Sequence, residues 1–118
     1  MEQKWIDAMN RYMEAIKADY AKWNVRVCAD KEYNSASEKR FNAGLSYDEN
    51  QNYIKVISGG SVHSFIALKN ISFKNGVSFK PGDILKPAGW SGPAKNKARG
   101  NIFDKDYHIQ WTGPRYMR

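Results

Sequence analysis

The cysteine and histidines of this chain are not spaced as metal ligands usually are. Cys28, His63 and His108 are its cysteine and histidines, and none belongs to a C-x-x-C, H-x-x-x-H or E-x-x-H pair. A structural zinc site needs about four ligands, usually in closely spaced pairs. Asp48-Glu49-Asn50 also lacks the spaced acids and the later glutamate of an EF-hand calcium loop. The sequence therefore predicts no metal site.

Nucleophilic catalysis lacks a complete set of residues as well. Cys28 lies in a predicted strand, where we expect a buried, unreactive thiol rather than an exposed thiolate. His63 stands next to Ser64, but neighbouring residues of a strand point to opposite faces, so the pattern does not predict that they form a pair. We therefore predict that the protein is not an enzyme.

A basic, turn-rich segment runs from Lys80 to Asn101, and no carboxylate occurs between Ile84 and Phe103. Its glycines allow backbone N–H groups to converge on an anion, and its bases supply positive charge. Trp90 could stack on a nucleobase or enter a partner's pocket. Alternatively, Trp90 pins a long loop to the body of the protein and the lysines are only solvated. The candidate binding residues are Lys86, Trp90, Lys95, Lys97, Arg99 and Asn101.

Positive charge is concentrated in the second part of the chain. Residues 1–69 carry 10 Lys+Arg and 9 Asp+Glu, whereas residues 70–118 carry 9 Lys+Arg and 3 Asp+Glu. The two parts therefore contribute +1 and +6 to the net charge of +7. This asymmetry favours a polyanionic partner, with nucleic acid first and an acidic protein second. The alternative is that the positive charge only increases the solubility of the protein.

Length and composition indicate one folded domain. A chain of 118 residues with 42% hydrophobic residues suits a single domain, 1–118, with a modest core. The single Cys28 excludes an internal disulfide and suits a reducing cytosol. The chain shows neither a signal-peptide pattern at its start nor an apolar run of the roughly 20 residues that span a bilayer. We expect a soluble, intracellular protein without a membrane partner or a cofactor.

An amphipathic helix is predicted at the start of the chain. Apolar residues, most of them aromatic, recur at spacings of three and four from Trp5 to Trp23, with charges of both signs between them. The pattern predicts a helix over about residues 3–22 that covers one face of a sheet. The helical part (1–23) is followed by a β-rich body (24–118), which includes the basic loop 86–101.

Short strands and tight turns are predicted in the body. The polar segment Lys31–Glu38 is interpreted as a loop, and Asn75-Gly76 is the strongest hairpin signal. We predict an α+β fold in which the helix packs on a curved antiparallel sheet, or a small open barrel, of six to seven short strands. The segments with alternating or strand-like patterns are 25–28, 41–47, 53–57, 61–68, 71–73, 77–79, 84–86 and 107–111.

One longer pattern extends over about residues 53–113. It consists of SVHSF at 61–65, GDILKPA at 82–88, Trp90, PAKN at 93–96, ARGNI at 98–102 and WTG at 111–113. This pattern resembles one in small uncharacterised proteins of tailed bacteriophages. The resemblance implies a phage gene product that acts in the cytoplasm of an infected bacterium, and it implies that His63 and residues 86–101 belong to one unit. It implies no particular activity.

These observations lead to one main expectation and two alternatives. The main expectation is a non-enzymatic phage accessory protein that binds a polyanion, with nucleic acid as the first candidate, through its basic, aromatic loop. The first alternative is a small inhibitor or adaptor that docks on an acidic host protein, in host takeover or counter-defence. The second is a virion or assembly component that oligomerises through the aromatic stripe of the helix.

Overall fold

The computed structural model describes residues 1–114. Its helices are α1 (Gln3–Val27) and α2 (Lys31–Ala43), and the strands that follow are β1 (Leu45–Glu49), β2 (Tyr53–Ser58), β3 (Ser61–Ala67), β4 (Ile71–Ser72), β5 (Ser78–Phe79) and β6 (Ile84–Leu85). One antiparallel sheet has the order β1-β2-β3-β6, and β4 pairs with β5 in a second. The predicted α+β class is confirmed. In the described part of the chain the strands form these two sheets rather than a closed barrel.

α1 covers one face of the larger sheet, as its pattern predicts. Its buried stripe includes Met9, Tyr12 and Ile16, and these side chains pack in one core with Ile54 of β2 and Ile66 of β3. Each large apolar side chain that is fully buried contributes about 1.5–3 kcal/mol. Packing on the sheet, rather than helix propensity, therefore stabilises α1.

The β4–β5 hairpin covers the opposite face of the same sheet. Because side chains alternate along a strand, Phe65 of β3 and Leu85 of β6, which are register partners, point away from α1. They pack in a second core with Phe79 of β5, and Val77 and Ala98 lie at its edge. The sheet therefore lies between a helix and a hairpin.

α1 is longer than predicted, because residues 25–28 are not a strand. Val25 and Val27 are 63% and 56% exposed and belong to the last turns of the helix. Asn24 is buried and donates through Nδ2 to the carbonyl of Asn34 in α2, 3.2 Å away. Cys28 ends the helix as its C-cap and is half-buried, rather than lying buried in a strand.

The segment interpreted as a polar loop is α2. Asp30 caps this helix, since its side chain accepts a hydrogen bond of 3.1 Å from the backbone N–H of Tyr33. The side of α2 that faces α1 is formed by Asn34, Ser37 and Phe41, at spacings of three and four. Asn34 Nδ2 donates to the carbonyl of Cys28 at 2.7 Å, and the Ser37 hydroxyl bonds to Tyr20. A hydrophobic pattern could not reveal a buried stripe that is mostly polar.

Two further strand predictions are wrong in part or in full. Phe41 and Ala43 belong to α2, so only the second half of segment 41–47 is a strand, β1. Residues 107–111 form no strand and belong instead to an irregular segment, the strap (residues 102–113), which runs along α1. Along the strap, Phe103 packs on Trp5, Tyr107 on Tyr12, and Trp111 on Tyr20. The alternation of Tyr107, Ile109 and Trp111 thus serves packing on a helix rather than strand pairing.

Candidate functional site

The predicted basic loop is an ordered hairpin-like extension of β6, here named the basic arm (residues 82–101). Its two sides are joined by backbone hydrogen bonds between Ile84 and Gly100, Arg99 and Ile84, and Ala94 and Lys86, each 2.8 Å long. Near the end of the arm, Ala88 donates to Gly92 at 3.1 Å. Residues 88–92 therefore form an apex that the rest of the arm supports.

The base of the arm is held by a network around Asn101. The Asn101 amide nitrogen donates to the Pro81 carbonyl at 2.9 Å and to Asp83 Oδ1 at 3.0 Å, and its amide oxygen accepts from Phe103 N at 2.9 Å. Asn101 is 5% exposed, so its amide is engaged inside the fold. Gly82 has a φ of +90°, and an added Cβ would lie 2.6 Å from the Phe103 ring. Only glycine fits there without displacement.

Trp90 lies at the apex and is 55% exposed. The ammonium of Lys55, on β2, lies 4.4 Å from the centroid of the indole ring, a cation–π contact. Lys55 is the register partner of Phe65, so the apex lies over the sheet face opposite α1. Trp90 is thus not buried as an anchor of the loop. Its indole contacts Lys55 and remains largely accessible to solvent.

The lysines of the arm differ in their surroundings. Lys95 and Lys97 are exposed, whereas Lys86 is half-buried. The Lys95 ammonium lies 5.2 Å from the ring centroid of Phe73, and its carbonyl accepts from Asn75 Nδ2 at 3.2 Å, so the arm rests on the β4–β5 hairpin. The salt bridges found within residues 1–114 join Glu2 to Lys4 and Glu14 to Lys17. No carboxylate in the described part of the chain forms a salt bridge with Lys95 or Lys97.

Arg99 braces the arm. Its Nη1 donates to Asn96 Oδ1 at 2.5 Å and to the Lys97 carbonyl at 3.0 Å, while its Nε is buried without a hydrogen-bond partner among residues 1–114. Burial lowers the pKa of this guanidinium, which nevertheless remains charged at neutral pH because its ordinary value is so high. Arg99 therefore contributes positive charge from a fixed position.

A cleft brings in Lys80, which begins the basic segment of the sequence but was not among the candidate binding residues. It has a volume of about 440 Å³ and lies between β5 and the arm, where Lys80 and Lys97 line it together with Asp83, Asp104 and Gly100. Lys80 precedes the loop that we predicted, and only the packing of the hairpin against the arm brings it near Lys97. Lys55 was missed for the same reason, because it is distant in sequence and isolated on β2.

His63 and Ser64 form a hydrogen-bonded pair, contrary to the expectation from strand alternation. The register between β2 and β3 shifts at Val56/Ile57, where a β-bulge leaves His63 without a partner on β2. An extra residue breaks the alternation, so both side chains reach the same region. His63 Nδ1 and Ser64 Oγ are 2.9 Å apart, and Ser64 Oγ lies 2.7 Å from the Tyr12 hydroxyl.

The donor and acceptor of each hydrogen bond in this network follow from the Gln110 carbonyl, which bonds to the His63 ring. His63 Nε2 lies 2.7 Å from the carbonyl oxygen of Gln110, which can only accept, so Nε2 carries the proton. In the neutral ring Nδ1 then accepts from the Ser64 hydroxyl, and Ser64 accepts from Tyr12. Burial lowers the pKa of His63 and favours this neutral form, although the bond to Gln110 acts in the opposite direction.

The Tyr12–Ser64–His63 network lies inside the fold, where its hydrogen bonds hold neighbouring elements together. Ser64 and Tyr12 are both 0% exposed, and burial raises the pKa of the Tyr12 hydroxyl far above its ordinary value. A substrate could reach Ser64 only if the strap or α1 moved away. The network joins α1, β3 and the strap, and Gly113 packs directly over the His63 carbonyl, 3.1 Å from where its Cβ would lie. The His63 side chain thus contacts Ser64 on its own strand, Gln110 of the strap and Tyr12 of α1.

Two further observations concern metal binding and membrane-spanning helices. Within residues 1–114, no three His, Cys, Asp or Glu side chains come together in a way that could hold a metal ion. In the same residues, neither helix combines the length and apolar character needed to cross a bilayer.

Comparisons with protein-family models, with curated proteins and with solved structures found no match for this chain. The resemblance to bacteriophage proteins therefore stays a prediction, and the site is interpreted from its own geometry.

Proposed function

We propose that the chain is a non-enzymatic accessory protein that binds nucleic acid through the basic arm. One combination of features carries this proposal. The indole of Trp90 is exposed at the apex, and Lys95 and Lys97 are exposed on the return side of the arm. The segment from Lys86 to Ile102 contains no carboxylate. Aromatic rings that stack on bases, together with cations that contact phosphates, are the two elements of sequence-tolerant nucleic-acid binding.

The arrangement assigns different roles to the residues of the arm. Lys95, Lys97 and Lys80 would contact phosphates, because all three are exposed and the cleft brings Lys80 to Lys97. Arg99 adds charge from its braced position, and Asn101 holds the base of the arm rather than a ligand. The proposal also includes, on the resemblance alone, that the protein acts in the cytoplasm of a phage-infected bacterium.

A binding series at several salt concentrations tests the proposal. We expect a fluorescently labelled oligonucleotide of mixed sequence to bind tightly at low salt and to lose affinity steeply as salt rises, since each neutralised phosphate releases counterions. The double variant Lys95→Ala/Lys97→Ala should bind more weakly. Its plot of log Kd against log salt should be shallower by about 1.4–1.8, for two lost phosphate contacts.

A matched control has the same loss of charge on a different surface. Lys31 and Lys39 are exposed on α2, so Lys31→Ala/Lys39→Ala changes the net charge equally without touching the arm. Equal losses in the two double variants would mean that only net charge matters, and would contradict an arm-specific site. No detectable binding of DNA or RNA to the wild-type protein at low salt would overturn the proposal. It would favour docking on an acidic host protein instead.

A further inference from the structure

The apex of the basic arm presents one aromatic ring and little else that could recognise a nucleic acid. Trp90 is flanked by Gly89 and Ser91, and both neighbours are exposed. Reading base edges in the major groove of a duplex requires side chains such as Arg, Asn or Gln that form paired hydrogen bonds with a base. Residues 88–92 contain none of these. The chemistry of the apex is therefore that of stacking.

Lys55 prepares the indole for stacking. Its ammonium lies 4.4 Å from the ring centroid, so the ring is held in one place while Trp90 remains 55% exposed. An indole that is already positioned loses less conformational entropy when a second ring stacks on it. Trp90 and Lys55 thus form a unit suited to one nucleotide.

A groove continues from the apex along the sheet. It has a volume of about 330 Å³ and is lined by Trp90, by Pro87 and Ala88 of the arm, and by Ser61 and Val62 at the start of β3. Most of its lining residues are small or apolar, Ser61 is polar, and Trp90 forms part of the wall. The groove offers room for the sugar or the neighbouring base of a strand whose first base lies on Trp90.

We propose that Trp90 stacks on an unpaired nucleobase, with Lys55 as its supporting cation, so that the basic arm selects single-stranded over double-stranded nucleic acid. The inference rests on the proposed function and specifies its ligand class. In a duplex both faces of each internal base are covered by the neighbouring base pairs, so an isolated indole at the end of an arm finds no partner ring there. The lysines can contact either ligand, whereas the indole discriminates between them.

The test compares three ligands of equal length at one salt concentration. Labelled oligo-dT and oligo-rU are the single strands, and a DNA duplex of mixed sequence is the third probe. We expect at least about 10-fold tighter binding of the single strands. Trp90→Ala should weaken single-strand binding about 10-fold and leave duplex affinity within about 2-fold. Trp90→Phe, which keeps a ring, should retain most of the affinity, and Lys55→Gln should show an intermediate loss.

The outcomes separate this inference from the proposed function. Equal affinity for single strands and duplex, or an equal loss for both in Trp90→Ala, would overturn the inference. The proposed function would stand if binding still depended on Lys95 and Lys97. No binding of any probe to the wild-type protein would overturn both. A thermal melt of each variant checks that the fold is intact, and the exposed position of Trp90 predicts little change in Tm.

Discussion

At the scale of single residues, His63 shows how one inserted residue changes the chemistry of a strand. Strand alternation correctly predicts which side chains of β3 face α1, such as Ile66, and which face the hairpin, such as Phe65. It fails at His63, because the bulge leaves this residue without a partner on β2 and its side chain reaches the region of Ser64. No turn residue marks the bulge in the sequence, so the network with Tyr12 could not be predicted.

The buried, neutral His63 predicts a stability that depends on pH. Burial lowers its pKa in the folded protein below the ordinary value near 6.5, so the unfolded chain binds this proton more readily. The free energy of unfolding should therefore be constant above about pH 7. It should decrease as the pH falls through about 6.5 toward the folded pKa, by at most about 1.4 kcal/mol per pH unit. Urea unfolding at pH 5.0 to 8.0 measures this slope.

His63→Gln isolates the effect, because glutamine does not titrate. The variant should be less stable at pH 8 but should show a flatter profile between pH 5 and 7. His108 is exposed and offers a matched control, so His108→Gln should keep the wild-type profile. If the profiles of His63→Gln and the wild type have the same slope, another group is responsible and the assigned network does not control stability.

At the scale of elements, the sequence predicts those that bury apolar stripes and misses those that bury polar ones. α1, β2, β3 and the Asn75-Gly76 turn follow from hydrophobic periods and turn chemistry alone. α2 was missed because Asn34 and Ser37 occupy its buried positions, and their hydrogen bonds can be seen only in the folded chain. The signal that could have revealed it is Asp30 followed by Glu32, an N-cap and a first-turn acid.

The packing of Gly82 at the base of the arm predicts how strongly a substitution there destabilises the protein. Gly82→Ala should destabilise the protein by roughly 3 kcal/mol or more, because alanine meets both an unfavourable positive φ and the Phe103 ring. Gly76→Ala is the control: its φ is +87°, similar to that of Gly82, but no atom lies within 4 Å of the added Cβ. It should cost only about 1–2 kcal/mol. Chemical denaturation of both variants measures the difference, and equal costs would contradict the close packing at Gly82.

At the scale of the whole molecule, the two faces of the sheet have different roles. α1, whose polar side carries both signs of charge, covers one face, and the basic arm with its hairpin lies on the other. Charge counting along the sequence predicts that the second part of the chain is basic, and it identifies Lys95 and Lys97. It could not identify Lys55 or relate Lys80 to Lys97, because these relations arise only when the arm folds back over β2 and β5.

Two tryptophans on opposite sides of the molecule should respond very differently to truncation. Trp111 of the strap contacts the rings of Tyr20, Trp23 and Phe41, and its backbone N–H donates to Asp19 at 2.9 Å. Trp111→Ala should therefore cost about 2–4 kcal/mol and lower the Tm by several degrees. Trp90→Ala should leave the Tm nearly unchanged. Similar shifts in the two variants would show that the strap does not stabilise α1.

The strap has a consequence for how the chain is made. α1 is synthesised first, yet its contacts at Arg11 and Asp19 are with residues 91 and 92 positions later, Ile102 and Trp111. At ribosomal speeds of about 5–20 residues per second, the aromatic stripe of α1 remains partly uncovered for roughly 5–18 s after it emerges. The fold can therefore be completed only after the strap has left the ribosome, and until then the strap cannot cover the aromatic stripe of α1.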